Sequence, residues 1–353
     1  MFAQQVELAG RQIGSGQPCF LIAEAGVNHN GDPEMAKELI RVAARAGADA
    51  VKFQMFTADR IISPSAAKAE YQRQTTGSAE SESQLEMVRR LELPDAAWRE
   101  LVEVAGNERI LFLCTPFDEE SADALEGLSL AAYKIPSGEL TNLSFLTHVA
   151  GKGRPVILST GMATLGEVEA AVDAIARAGN RKLILLHCVS SYPARPVDVN
   201  LRAMETLRAA FGVPVGFSDH TQGIQVALAA AALGACVIEK HFTLDRALPG
   251  PDHQASLEPP ELAELVRGVA IVQSAIGDGH KRPVPAETDV AAAARKSLAA
   301  RHALEAGRRL VAEDVALVRP GTGLPPAMLP NVVGRSLRHD VAAGELLSWE
   351  DLA

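Results

Sequence analysis

Three lysines stand inside apolar runs: Lys52 in AVKFQMF (50–56), Lys134 in AAYKIPS (131–137) and Lys240 in CVIEKHFTL (236–244). An ammonium group in such a run needs a partner or a route to water. Each lysine could snorkel, pair with an internal carboxylate such as Glu24 or Glu239, or form a Schiff base with a carbonyl substrate. Three together, in a chain of net charge −10, point to an anion site. Two histidines, His220 in GFSDHT (216–221) and His241 in the 236–244 run, end consecutive apolar runs. Two imidazoles completed by waters or substrate oxygens suit a divalent transition metal. The alternative is a pair of core histidines, each bonded to a neighbouring carboxylate. The turn STGMA (159–163) precedes a helical segment, where backbone N–H groups suit a phosphate.

The elements that must position these groups follow from hydrophobic pattern. Eight short, nearly continuous apolar runs occupy 19–27, 50–56, 110–117, 131–137, 155–161, 182–189, 213–220 and 236–244. Such runs read as strands buried on both faces, the habit of a parallel sheet. Amphipathic segments of helical length lie between them, as at 33–46, 165–178, 222–233 and 259–276, with Asp32 as a natural N-cap. Eight repeats over about 260 residues predict an α/β fold, a (β/α)8 TIM barrel. A doubly wound open sheet would carry a glycine-rich turn after its first strand, and GVNHNG lacks that spacing.

In a barrel the C-terminal strand ends face the active site. In chain order those ends supply Glu24, Lys52 with Gln54, Thr115, Lys134 with Ser137 and Glu139, Ser159 with Thr160 and Gly161, then Ser190 with Tyr192, and finally His220 and the Glu239–His241 trio. Strand alternation places Glu239 on the side of His241 and Lys240 on the other. Asp252 lies in the loop after the eighth strand, where a turn role and a polar contact to substrate both fit. His29, His187 and His253 are weaker candidates, and His148, His280, His302 and His339 read as surface residues. Residues 1–16 form a hairpin pattern suited to capping the barrel bottom, and 57–93 is a long connection, a candidate lid. The expected domains are a barrel over 1–278, a linker over 279–294 and a compact domain over 295–353. That last domain carries Arg319, which matters only if it covers a barrel mouth.

The acidic balance excludes nucleic acid and anionic membrane surfaces as partners. No run of about 20 apolar residues predicts a membrane span, and the first residues lack the pattern of a secretory signal. Cys19, Cys114, Cys188 and Cys236 are widely spaced, which fits reduced thiols in a cytoplasmic protein and no thiolate metal site.

Taken in order, IAEAGVNHNGD (22–32), VKFQ (51–54), TPFD (115–118), YKIPSGEL (133–140), LSTGMAT (158–164), LHCVSSYPARP (186–196), GFSDHT, IEKHFTLDR (238–246) and GPDHQAS (250–256) resemble the sialic acid synthase family. That family holds the N-acetylneuraminate synthases and their legionaminate, pseudaminate and spore-coat polysaccharide relatives. The tail, with ARKSLAAR (294–301), RPGTGLPP (319–326) and VVGRSL (332–337), is similar to the SAF, or type III antifreeze-like, domain. The resemblance implies condensation of phosphoenolpyruvate with an N-acylated mannosamine-type aldose, giving a nine-carbon 2-keto-3-deoxy sugar acid and phosphate by C–O cleavage. It implies a divalent metal on His220 and His241, Mn2+ with Mg2+ or Co2+ as alternatives. Lys52, Lys134, Ser159, Thr160 and Gly161 match the phosphoenolpyruvate contacts, with Thr115 and Ser137 nearby. Glu24, Gln54, Glu139, Tyr192 and Asp252 match positions lining the sugar site. Arg319 matches an arginine reaching the N-acyl group across a domain-swapped homodimer. One departure stands out: the synthases proper read CTNxYP where this chain has CVSSYP, so Ser190 replaces a ligand-contacting asparagine. Two rivals remain, a Schiff-base pyruvate aldolase and a non-catalytic carbohydrate-binding relative.

Overall fold

The computed structural model describes residues 2–76 and 82–353. The chain divides into two compact units, Met1–Gly277 and Asp278–Ala353.

The first unit opens with an antiparallel hairpin, β1 (Gln5–Leu8) and β2 (Arg11–Gly14). Among the described residues eight parallel strands then close a barrel: β3 (Phe20–Gly26), β4 (Ala50–Met55), β5 (Leu111–Pro116), β6 (Tyr133–Ile135), β7 (Val156–Ser159), β8 (Leu183–Cys188), β9 (Val215–Asp219) and β10 (Val237–His241), with β10 returning to pair with β3. The crossover helices are α1 (Pro33–Ala46), α2 (Asp95–Asn107), α3 (Glu119–Glu126), α4 (Leu143–Gly151), α5 (Leu165–Arg177), α6 (Ala203–Phe211), α7 (Gln225–Ala232) and α8 (Pro259–Ile276). The TIM barrel expected from the pattern is the observed fold.

Local chemistry explains the elements. In α1, the Asp32 carboxylate accepts from Glu34 N at 2.8 Å, Pro33 opens the first turn, and Gly47 ends the helix at φ 83°. Its buried stripe of Ala36, Leu39, Ile40, Val42 and Ala43 is the face the 3.6-residue period presents to the barrel.

The barrel interior changes character along its axis. At the bottom, inward Phe20, Ile22, Ala50, Leu113, Ile157, Ile184 and Val237 pack with Val6, Leu8 and Ile13 of the hairpin, which plugs that end as expected. Toward the top, the inward positions become polar and supply the site. Outward residues such as Val51, Phe53, Leu158 and Ile238 pack under the helices.

The 57–93 connection folds into short helices, Ala58–Ile61, Glu70–Thr75 and Gln84–Arg89. Positions 77–81 of the expected lid lie outside the described residues.

The second unit has its own small core, including Leu298, Leu310, Val315, Val332, Leu337 and Leu347. A two-stranded antiparallel sheet, β11 (Ser297–Ala300) and β12 (Val315–Val318), runs through it. The stretch expected as a linker groups with this unit. It carries a helix, Thr288–Ala294, and Ala292 O accepts from Gly321 N at 2.7 Å. Arg319 follows β12 directly and is exposed.

Candidate active site

The barrel mouth holds a buried quartet of opposite charges. Lys52, from β4, lies 2.8 Å from Glu24 of β3 and 3.7 Å from Glu239 of β10. Lys134, from β6, lies 3.5 Å from the other Glu239 oxygen. Lys52 also donates to Thr115 Oγ1 (3.0 Å), Lys134 to Ser159 Oγ (2.8 Å), Gln54 to Glu24 (3.0 Å) and Ser218 to Glu239 (2.9 Å). All four charged side chains are buried. Two lysines in one small cavity repel each other, and Glu239 between them makes their approach tolerable. Burial alone would raise the Glu239 carboxyl, but Lys134 and Lys52 outweigh it and bring it down to about 2. Burial raises Glu24 against the pull of Lys52. Burial also works against the Lys52 ammonium, yet Glu239 and Glu24 hold it above its ordinary range, whereas Lys134, with less compensation, sits below.

The turn after β7 lies alongside. Its N–H groups are largely committed within the protein: Thr160 N and Thr160 Oγ1 both donate to Leu186 O (2.9 and 3.1 Å), and Gly161 N donates to Ser137 Oγ (2.9 Å). Thr160 therefore shapes the turn rather than presenting its hydroxyl to the mouth. At Gly161 a Cβ would fall 2.7 Å from Cys188 Sγ and 2.8 Å from Ser137 Oγ, and closer still to Ser190 Oγ. Only glycine leaves this slot open. Ser190, the residue that departs from the synthase motif, thus sits at the anion-side turn.

The two histidines converge. Their ring centroids are 5.6 Å apart, and the Tyr192 ring packs 4.3 Å from His220 and edge-on to His241 at 5.9 Å. His220 Nδ1 donates to Val189 O at 2.8 Å, which leaves the Nε2 lone pair available. His241 Nδ1 is buried with no hydrogen-bond partner. Burial, reinforced by the neighbouring His241, lowers His220 to about 4; burial and Lys52 lower His241 to about 3. Two neutral imidazoles, one with a fixed tautomer and one with an orphaned ring nitrogen, are a donor set that fits a divalent metal. Among the described residues no cluster of three or more His, Cys, Asp or Glu side chains is arranged to hold an ion, so such a site would be completed by non-protein ligands. Gly26, at φ 54°, lets the β3 end pass close to the site: a Cβ there would come within 3.4 Å of Glu24 Oε1 and His241 Cε1.

Asp252 is buried at the same mouth, and burial with the nearby Glu24 raises its carboxyl to about 7. Glu139 lies in the turn after β6, its carboxylate accepting from Asn142 Nδ2 at 2.9 Å. Arg319 belongs to the second unit. His187 points outward and meets Val199 O at 2.7 Å, while His253 joins Thr243 (2.6 Å) to Asn30 (3.2 Å); neither enters the histidine pair. Lys240, the third lysine of the anion-site expectation, faces away from the mouth and pairs with Asp219 at 2.8 Å. The pattern alternation had indicated its direction, but the partner depends on strand register. Cys188 was overlooked as a site residue; its signal was the same inward parity that marks Ser190.

A (β/α)8 barrel with lysines, carboxylates and paired imidazoles gathered at its C-terminal end is the architecture of a barrel enzyme acting on an anionic small molecule. The particular kin are clear from comparison: residues 39–281 match the NeuB family and residues 295–353 the SAF domain, and the chain belongs to the NeuB family. It is 47% identical over 343 residues, 96% of both chains, to the N,N'-diacetyllegionaminic acid synthase of Legionella pneumophila. It is 37% identical to the human N-acetylneuraminate-9-phosphate synthase, covering 97% of this chain and 94% of that one. Among solved structures, the N-acetylneuraminic acid synthetase of Leptospira borgpetersenii superposes with a TM-score of 0.73 at 36% identity, covering 82% of this chain and 95% of that one. Among the described residues no helix is long and apolar enough to cross a membrane.

Proposed function

We propose that this chain is a phosphoenolpyruvate-dependent, C–C bond-forming transferase. It condenses phosphoenolpyruvate with an N-acylated mannosamine-type aldehyde to give a sialic-acid-like nonulosonic acid and phosphate. The observation that carries this reading is the shared mouth of a lysine–carboxylate quartet and two neutral, converging histidines. Lys52, Lys134 and Ser159 bind the phosphoenolpyruvate anion, with Thr115 and Ser137 supporting them and Gly161 and Ser190 shaping the slot. His220 and His241 would hold a divalent metal, Mn2+ or a similar ion such as Mg2+ or Co2+. When bound, it supplies Lewis-acid polarisation of the aldehyde oxygen.

Carbon 3 of phosphoenolpyruvate forms a bond to the aldehyde carbon. Water adds at carbon 2, and phosphate leaves with the C–O bond. The new alkoxide takes up a proton. Asp252, raised by burial to about 7, is the acid placed to hold it near neutral pH. Gln54, Tyr192 and Glu139 line the approach of the sugar. Identity to the legionaminic acid synthase favours a diacetylated 6-deoxy hexosamine over N-acetylmannosamine. We further assign the SAF unit to a domain-swapped homodimer, with Arg319 on the N-acyl group, in the cytoplasm. Deleting residues 283–353 should then cost sugar affinity more than phosphoenolpyruvate affinity; unchanged kinetics would remove Arg319 from the site.

The deciding experiment measures phosphate release from phosphoenolpyruvate with Mn2+ and a panel of N-acylated hexosamines, with product masses. No release with any aldehyde would leave a binding protein. A lysine adduct trapped by borohydride with pyruvate, together with turnover that survives chelation, would instead assign a Schiff-base aldolase.

A further inference from the structure

The two strand ends that carry the histidines are joined by a second set of contacts, on the outside of the barrel, which the proposed chemistry does not use. Strands β9 and β10 pair with Ser218 opposite Glu239 and Asp219 opposite Lys240. One residue further brings His220 level with His241. Inside the barrel Ser218 donates to Glu239. Outside it, Lys240 Nζ donates to Asp219 Oδ2 at 2.8 Å and to Thr221 O, and Asp219 Oδ1 accepts from Thr221 N at 2.8 Å. Lys240 and Asp219 are each 1% exposed. The residues on both sides of His220 are therefore tied to the residue that precedes His241. The remaining freedom of His220 is taken up by Ala194 N, which donates to its carbonyl at 2.9 Å, and by the bond from its Nδ1 to Val189 O. A buried ion pair is a poor choice for filling a core, because an apolar pair of similar volume is often as stable or more so. What the pair adds here is direction at one junction.

We infer that Lys240 and Asp219 are positioning residues that set the spacing and ring orientation of His220 relative to His241, and so preset the two imidazoles as ligands for a divalent metal. This rests on the two-histidine metal site proposed above. Lys240 faces away from the mouth, so the quartet of Glu24, Lys52, Lys134 and Glu239 keeps its own contacts when the outer pair is altered.

The test uses the full-length protein and a double variant, Asp219→Asn with Lys240→Met, which removes both charges so that neither is left buried alone. Three quantities are read: Mn2+ affinity by electron paramagnetic resonance without substrates, phosphoenolpyruvate affinity by calorimetry, and the His220 tautomer from nitrogen-15 spectra of histidine-labelled protein. A positioning role predicts Mn2+ binding weakened by about tenfold or more, with phosphoenolpyruvate affinity within about threefold. His220 should also pass from a single Nδ1–H tautomer to a mixture. Unchanged Mn2+ affinity and tautomer in a folded double variant overturn the inference. Equal losses of Mn2+ and phosphoenolpyruvate affinity overturn it as well, since they report general loosening. A wild-type protein that binds no Mn2+ overturns the metal reading itself, a result distinct from undiminished binding by the variant. If the double variant does not fold, Asp219→Asn alone, which keeps shape and the bond from Thr221, must show the same split on a smaller scale.

Discussion

Replacing Glu239 by Gln tests whether this carboxylate is what allows two lysines to share the mouth. The amide keeps the shape, and its oxygen can still accept from Ser218, now at 2.9 Å from Glu239. Lys52 retains Glu24 at 2.8 Å. Among the described residues Glu239 is the only carboxylate paired with Lys134, at 3.5 Å, so Lys134 is left with Ser159 Oγ and Ile135 O. At that separation, with an effective dielectric of roughly 20, the lost attraction is about 4–5 kcal/mol as a ceiling, and protein relaxation and water will reduce it. Burial already lowers Lys134 despite Glu239, so in the variant its ammonium becomes still more acidic. The consequence has a sign. At low pH, with Lys134 charged, the mouth has lost one negative charge and phosphoenolpyruvate should bind as well or better. At high pH, with Lys134 neutral, binding should weaken. Calorimetric titration of phosphoenolpyruvate without sugar, over a range of rising pH, should show the variant-to-wild-type affinity ratio falling as pH rises. Ionisation of the ligand itself affects both proteins alike and cancels in the ratio. A ratio constant across this range, whatever its value, would refute the coupling between Glu239 and Lys134.

Gly161→Ala should place a methyl among Ser137, Cys188 and Ser190, cost about 1–3 kcal/mol of stability and weaken phosphoenolpyruvate binding more than Mn2+ binding; equal affinities in thermal and calorimetric assays would count against the slot. His241→Ala should lose Mn2+ affinity and metal-dependent turnover while melting close to wild type, and an undiminished metal titration would remove it as a ligand. Acid should destabilise the metal-free protein: His29, His220 and His253 are lowered to about 4 and His241 to about 3, so between pH 6.5 and 4 the unfolded chain takes up protons that the native state refuses. Asp252 and Glu24, raised by burial, act in the opposite direction and reduce the slope. Urea melts in the presence of a chelator should record falling stability across that window, and a flat profile would contradict the buried, neutral state of the histidines.

Much of the fold was legible because each barrel strand is a continuous apolar run that ends in polar residues at inward positions. Leu113 followed by Thr115, Ile157 by Ser159 and Val237 by Glu239 show that change within single strands. The helix starting at Asp32 and Pro33 was equally plain, since cap, first-turn proline and apolar stripe agree. Contacts set by register were not. Whether Lys240 meets Asp219 or another carboxylate depends on how β10 is staggered against β9, and one chain's letters do not encode stagger. Thr160 was expected at the mouth as a strand-end residue beside Ser159, but its hydroxyl donates to Leu186 O. The short helices within 57–93 are four to six residues long, too brief for a 3.6-residue period to register.

The succession Glu239, Lys240, His241 in an otherwise apolar strand is tolerated because each group is answered by a different neighbour. Glu239 points inward and is neutralised by lysines from β4 and β6. Lys240 points outward and is neutralised by Asp219 from β9. His241 is held neutral by burial. No net charge is therefore left on either face of β10, and the answering groups come from three other strands. It follows that charge-removing substitutions of Glu239 or Lys240 that do not keep shape report mainly the cost of a stranded charge, about 3–5 kcal/mol for a broken buried pair. Only changes that remove charge in pairs, or that keep shape while removing charge as Glu239→Gln does, can separate the chemistry of this strand from its folding.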